Sequence, residues 1–242
     1  MNFPPREIFH SRYSRMLFLI VLVVAALTIW MHANKTIADE KTEIDLSLIL
    51  AVDCSHSVSA LEYDLQMRGL AQAFTSAEII SAIEGKMIAI MLVQWSGSSN
   101  QIISIPWQLI SNRDSAYKLA TEITNAPRLA LGKTSISAVI DFSVKQFSNN
   151  LFTPRRQTID ISADGVNNDG ASIEFARQRA MSAGITINGL TILNDVQNLD
   201  SYFEQFVIGG PGSFTIKANH YKDYASAIKR KLLREIIGLP VS

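Results

Sequence analysis

Residues 44–52, IDLSLILAV, form a nearly continuous apolar run that ends on a carboxylate, Asp53. Hydroxyls then alternate at Ser55 and Ser57, with Ser59 close behind. A strand that is apolar on both faces must be covered on both faces. That is the condition of a central strand in a parallel sheet wrapped by helices. The run therefore constrains the fold, and its abrupt polar end marks a place where chemistry or a turn begins.

The rest of the chain repeats the same alternation of strand and helix. Ser59-Ala60-Leu61-Glu62 is a capping box, in which the serine hydroxyl and the glutamate satisfy each other's exposed amides. It predicts a helix to about Phe74, with Leu61, Leu65, Leu70 and Phe74 on its buried side. A short helix is expected over 76–84. Strands are expected over 86–95 and 101–107, joined by the turn SGSSN as a hairpin, with Pro106 placing the second strand at an edge. Further helices are expected over 111–125, 134–149, 172–183, 198–206 and 221–237, with strands over 157–163, 184–193 and 213–217. This order predicts one α/β domain: a doubly wound, mostly parallel sheet with helices on both faces and one antiparallel edge strand.

The first 38 residues are of a different material. Arg6, Arg12 and Arg15 precede an uncharged apolar run over 16–31, the layout of an export signal. Thr36-Ile37-Ala38 offers a cleavage site. The run is slightly short for a span of about 20 residues, so residues 1–38 read as a signal peptide or an uncleaved inner-membrane anchor. In either case residues 39–242 form the exported domain, periplasmic or extracellular, and the positive flank stays inside. Without residues 1–38 the chain is mildly acidic, so bulk charge does not hold it to anionic lipid. The full chain has a formal net charge of zero, which disfavours nucleic acid as a partner. The single cysteine, Cys54, excludes an internal disulfide, and the four scattered histidines show no metal-ligand spacing.

Open parallel sheets bind ligands beyond the carboxyl ends of their strands. Three such places carry oxygen chemistry here: Asp53-Cys54-Ser55-His56-Ser57, Gly132-Lys133-Thr134, and Ser162-Ala163-Asp164-Gly165. Taken singly, each has an ordinary reading as a turn or a helix cap. Taken together they offer carboxylates and hydroxyls with no soft ligand, the donor set of a hard divalent cation such as Mg²⁺. Gly132 and Gly165 are expected to let the backbone turn sharply and approach closely. Rival readings fit less well. An EF-hand loop starting at Asp160 would end on Ala171 rather than a glutamate. No Gly-x-Ser-x-Gly elbow marks a serine hydrolase, and no Gly-x-Gly-x-x-Gly follows the first strand. Cys54 has no identified base to make it a nucleophile.

The set Asp53-x-Ser55-x-Ser57, Thr134 and Asp164-Gly165 resembles the metal-ion-dependent adhesion site (MIDAS) of von Willebrand factor A-like (VWA) domains. The stretches AVDCSHSVSALEYDLQMRG, LVQWSG, ISADGVNNDG, GITINGL, VIGGPGSF and AIKRKLLREI resemble one bacterial branch of that superfamily, domain-of-unknown-function family 1194. The resemblance covers about residues 44–237. It implies a doubly wound sheet with one metal site at its top. Asp53, Ser55, Ser57, Thr134 and Asp164 would hold Mg²⁺ or Mn²⁺, directly or through water, and an open position would accept a carboxylate from a partner protein. Cys54 and His56 depart from the small or aliphatic residues usual between the ligands. The implied function is a non-enzymatic, metal-dependent protein-binding module. The alternatives are a metal-dependent hydrolase of phosphate esters and a scaffold with a vestigial site. Asn167, Asn168 and Asp169 read either as a ligand-selecting rim or as a polar loop. Lys229, Arg230, Lys231 and Arg234 read as a solvated helix face.

Overall fold

The computed structural model describes residues 16–27 and 42–238. They fall into two units, one within residues 1–41 and the other within 42–242. In the first, residues 16–27 form a helix, α1. The expected cleavage site at Thr36-Ile37-Ala38 lies outside the described residues. No helix among the described residues is long and apolar enough to cross a membrane.

The second unit is built on β2 (Leu46–Asp53), every residue of which is buried. It pairs in parallel with β3 (Ile88–Trp95) on one side and β6 (Gln157–Ala163) on the other. The six-stranded sheet runs β4-β3-β2-β6-β7-β8, where β4 is Gln101–Ile110, β7 Ile185–Ile192 and β8 Thr215–Ala218. All neighbours are parallel except β4, which is antiparallel to β3 and closes one edge. The β3–β4 register shifts near Leu92, opposite the stretch holding Pro106, so the missing amide falls at a bulge on an edge strand.

Strand periodicity divides β2 between two cores. Leu46, Leu48, Leu50 and Val52 pack with α2 (Ala60–Thr75), α3 (Ala77–Ile83), α4 (Arg113–Asn125) and α8 (Tyr224–Ile237). Ile49 and Ala51 pack on the other face with α5 (Ile136–Ser148), α6 (Ile173–Ser182) and α7 (Leu199–Tyr202). The capping box at Ser59 and Glu62 is formed, with both reciprocal bonds present. Leu70 and Phe74 are buried as expected and Leu65 is partly buried, but Leu61 is 66% exposed: the buried stripe of α2 starts at Tyr63, and Leu61 lies off it.

Two features escape the sequence pattern. Residues 42–44 form a separate strand, β1, paired in parallel with β5 (Phe152–Pro154) as a two-stranded sheet. The helix expected over 198–206 begins as α7 and widens into a π-helical turn over Phe203–Val207, which buries both Phe203 and Val207.

The C-terminal basic run is corrected at Lys231, which is fully buried. Its Nζ lies 2.7 Å from Asp160 Oδ1 and 2.7 Å from Glu235 Oε1. Asn188 Nδ2 donates to the same Glu235 oxygen at 2.9 Å. Burial, and then the Glu235 charge, push the Asp160 carboxyl up to about 8. Removing one partner of a buried ionic group leaves the others uncompensated, at a cost of about 3–5 kcal/mol. Lys231→Met is accordingly expected to lower unfolding free energy by roughly that much in equilibrium urea titrations. A change within about 0.5 kcal/mol, typical of a solvated surface lysine, would refute the packed role of this side chain.

Candidate metal centre

The strand order places the topological switch between β2 and β6: β2 leads to β3 on one side, and β6 returns on the other. The carboxyl ends of these two strands carry Asp53 and, one residue past β6, Asp164. Both are buried at 1% exposure.

A chain of hydrogen bonds joins them. Asp53 Oδ1 accepts from the Ser55 amide at 2.7 Å. Ser55 Oγ and Ser57 Oγ lie 3.0 Å apart. Ser57 Oγ donates to Asp164 Oδ1 at 2.8 Å. The other Asp164 oxygen, Oδ2, accepts from the Tyr221 hydroxyl at 2.8 Å. Asp53 Oδ2 is buried and has no hydrogen-bond partner among the described residues. Ser55 is buried while Ser57 is exposed, so the cluster reaches solvent through one of its hydroxyls.

Thr134 joins the cluster from the start of α5. It is 4% exposed, and its Oγ1 is 3.8 Å from the point where a side chain would begin on Gly165. Its backbone is tied to the Asp164 loop in both directions. The Thr134 amide donates to Asn168 Oδ1 and the Asn168 amide donates to Thr134 O, each at 2.9 Å. The structure thus brings the three separate sequence stretches to one place.

Gly132 packs closely on its neighbours: a Cβ there would meet Ser96 Oγ at 3.1 Å and the Gly97 amide at 3.3 Å, so those groups would have to give way slightly. Neither Gly132 nor Gly165 has a positive φ, so the sharp turns expected of them do not use left-handed backbone. Asn167, Asn168 and Asp169 act as loop ties. Asn167 Oδ1 accepts from the Ser137 amide at 3.1 Å, and Asp169 Oδ2 from the Ser98 amide at 2.7 Å. His56 is exposed, and its amide donates to Gly132 O at 2.8 Å.

Three supporting residues are invisible in the motif. Tyr221 arrives from the short helical turn before α8. Gln66 of α2 donates from Nε2 to Asp53 O at 3.3 Å. Arg128 donates from one guanidinium nitrogen to Cys54 O at 2.8 Å and Ser55 O at 2.9 Å. The sequence reading names none of them, because each acts through a partner distant in sequence.

Burial is the main cause of the site's electrostatics. It pushes the Asp53 carboxyl up to about 7, and the Asp164 charge pushes in the same direction, against the hydrogen bonds from Ser55 and the Arg128 charge. Asp164 is also raised by burial, opposed by its bonds from Ser57 and Tyr221. The Cys54 thiol is fully buried and pushed up to about 12 by burial and by Asp53, so it stays protonated and unreactive. Among the described residues no three His, Cys, Asp or Glu side chains cluster as a metal site. A cation at this place would therefore take hydroxyl oxygens as well as carboxylates.

The sequence profile of a family described as "Protein of unknown function (DUF1194)" matches residues 43–240. The chain belongs to the DUF1194 family. No curated protein matches it. Solved structures with the same fold include proximal thread matrix protein 1 from the mussel byssus with a zinc-occupied MIDAS motif (14% identity, TM-score 0.63). The match covers 81% of this DUF1194 chain and 49% of the mussel chain, so the chain spans about half the mussel protein's length. The von Willebrand factor domain of the type V pili tip protein Mfa5 from Porphyromonas gingivalis is similar at 9% identity and a TM-score of 0.60. That match covers 82% of this chain and 97% of that one. The pilus adhesin SpaC from Lactobacillus rhamnosus GG is similar at 14% identity and a TM-score of 0.59, over 80% of this chain and 31% of that one. At these identities the shared property is the VWA fold.

The raised Asp53 pKa gives the metal-free DUF1194 protein a pH dependence of known sign. The folded state holds this proton up to about pH 7, whereas the unfolded chain releases it near 3.8. The contribution of Asp53 to stability is therefore present below the unfolded pKa and lost as pH rises through the folded one. Urea midpoints between pH 4 and pH 8 are expected to fall more steeply for the wild type than for Asp53→Asn. Equal slopes would contradict the assignment to this carboxyl.

Proposed function

We propose that the DUF1194 domain is an exported, divalent-cation-dependent module that binds another protein. The observation that carries this reading is Asp53 Oδ2: a buried carboxylate oxygen with no hydrogen-bond donor, beside the hydroxyls of Ser55 and Ser57. A buried anion is costly unless paired, and a hard cation is the partner that these oxygens suit. Asp53, Ser55, Ser57, Thr134 and Asp164 would hold the ion, and Mg²⁺ or Mn²⁺ fits an all-oxygen set best.

When bound, the ion supplies a positive charge that a carboxylate of a partner protein can complete. The chain's own residues do the rest. Asp164 accepts from Ser57 and Tyr221, which fixes the direction of the Ser57 lone pairs. Arg128 and Gln66 hold the backbone of the Asp53 loop. Exposed Leu129 and Leu131, on the loop leading to Thr134, offer apolar contact next to the proposed carboxylate. The proteins of similar fold, a byssus matrix protein and pilus tip and adhesin proteins, support an adhesive role over an enzymatic one. They also support export, as does the basic-then-apolar N-terminus. The hydrolase alternative gains nothing from Arg128, whose donors go to Cys54 O and Ser55 O rather than to a phosphate.

Calorimetry on the full chain tests the site. Saturable Mg²⁺ or Mn²⁺ binding is expected in the wild type and its loss in Asp53→Ala. Equal binding by both proteins would rule out the site. In the native envelope, crosslinked partner capture is expected to disappear in chelator and in Ser57→Ala. Capture that survives both would favour a scaffold whose metal site is vestigial.

A further inference from the structure

The amino ends of β6 and β7, at the opposite end of the sheet from Asp53, open into a cleft of about 500 Å³. That volume lies within the range of small-molecule sites, about 300–1,000 Å³. Among the described residues its lining includes three guanidinium groups, Arg155, Arg156 and Arg234, and no carboxylate. They come from two elements, the turn before β6 and the last turns of α8. Among the described residues none of the three forms an ion pair.

Two of the three have partial structural explanations. Arg156 donates to Glu235 O at 2.9 Å and Ile236 O at 3.5 Å, capping the carbonyl end of α8. Lys86 already donates to Ile236 O at 3.0 Å. Arg234 lies 3.9 Å over the Phe214 ring, which holds its plane at the cleft wall. Arg155 is exposed, and its side chain forms no ion pair among the described residues. The floor is preorganised. Asn188 is 3% exposed, its Nδ2 donating to Glu235 Oε1 and its Oδ1 accepting from the Phe214 amide at 3.0 Å. At the mouth, Gly212 has a φ of +68° and leaves open space where a side chain would stand.

We propose that this cleft binds a small, soluble phosphate-bearing anion. Three guanidiniums that form no ion pair among the described residues leave on one concavity a positive charge that a multiply charged oxyanion would neutralise. The flat guanidinium fork matches phosphate oxygens in pairs, and charge-assisted bonds of this kind are the strong ones. A cation is repelled there, and an apolar ligand would strand the arginines away from water. The site lies apart from the metal centre and does not depend on it.

The test is calorimetry on the full chain, dialysed free of divalent ions, titrated with sodium pyrophosphate and separately with sodium citrate. One-to-one, saturable binding of pyrophosphate is expected, tighter than that of citrate. Arg155→Gln should weaken it by about tenfold, the loss of one charge-assisted bond, and Arg155→Gln with Arg234→Gln by more. Asp53→Ala should bind pyrophosphate as the wild type does, which separates this site from the metal centre. Arg155→Gln removes no ion pair among the described residues, so its thermal melt should match the wild type. Absence of saturable binding, equal binding by the double variant, or preference for citrate would overturn the proposal.

Discussion

The central strand ends by burying a carboxylate, and the upper end of the molecule is organised around that fact. Raising the Asp53 pKa from 3.8 to about 7 corresponds to a cost on the order of 4 kcal/mol for ionising it in place. Folding could have avoided that cost by ending β2 on a hydroxyl or an amide. Instead the chain surrounds Asp53 with the Ser55 amide, two serine hydroxyls and a second buried carboxylate, and leaves one Asp53 oxygen without a donor. An arrangement that disfavours charge in the bare protein is one that a bound cation would stabilise. Local strain against stability at one place, with consistent packing elsewhere, is the pattern expected of a functional site.

The fold explains why the site is rigid. β2 is flanked by parallel neighbours and covered by apolar cores on both faces, so its carboxyl end has little freedom. Tyr221 extends this to the last helical segment: its hydroxyl, fixed by burial and protonated, grips Asp164. Helix α8 continues from there to the far end of the sheet. Lys231 bridges Asp160 and Glu235 part-way along it, and Arg156 and Lys86 cap its last carbonyls. One helix thus spans the distance between the hydroxyl-lined end and the arginine-lined end of the domain.

Much of this was legible in the sequence because the signals were local. The unbroken apolar run of β2, the capping box at Ser59 and the edge position of Pro106 each follow from a few adjacent residues, and each stands in the structure. The convergence of Asp53, Ser55, Ser57, Thr134 and Asp164 was legible because strand ends in a doubly wound sheet share one edge. What was hidden depends on distant partners. Lys231 looked like one cation in a solvated run, since nothing nearby in sequence reveals Asp160 across the sheet. Tyr221, Arg128 and Gln66 carry no motif and become site residues only when the chain has folded. Leu61 looked like core because it is apolar, yet the buried stripe of α2 begins at Tyr63 and leaves Leu61 facing solvent. The β1–β5 pair was missed because three-residue strands leave no periodicity to read.

The most direct test of the account is a crystal of the full chain soaked with Mn²⁺ and measured at the manganese absorption edge. The account predicts a single anomalous peak in contact with the Ser55 and Ser57 hydroxyls, between Asp53 and Asp164. A peak elsewhere on the domain, or none at saturating Mn²⁺ with the soaked crystal intact, would contradict it.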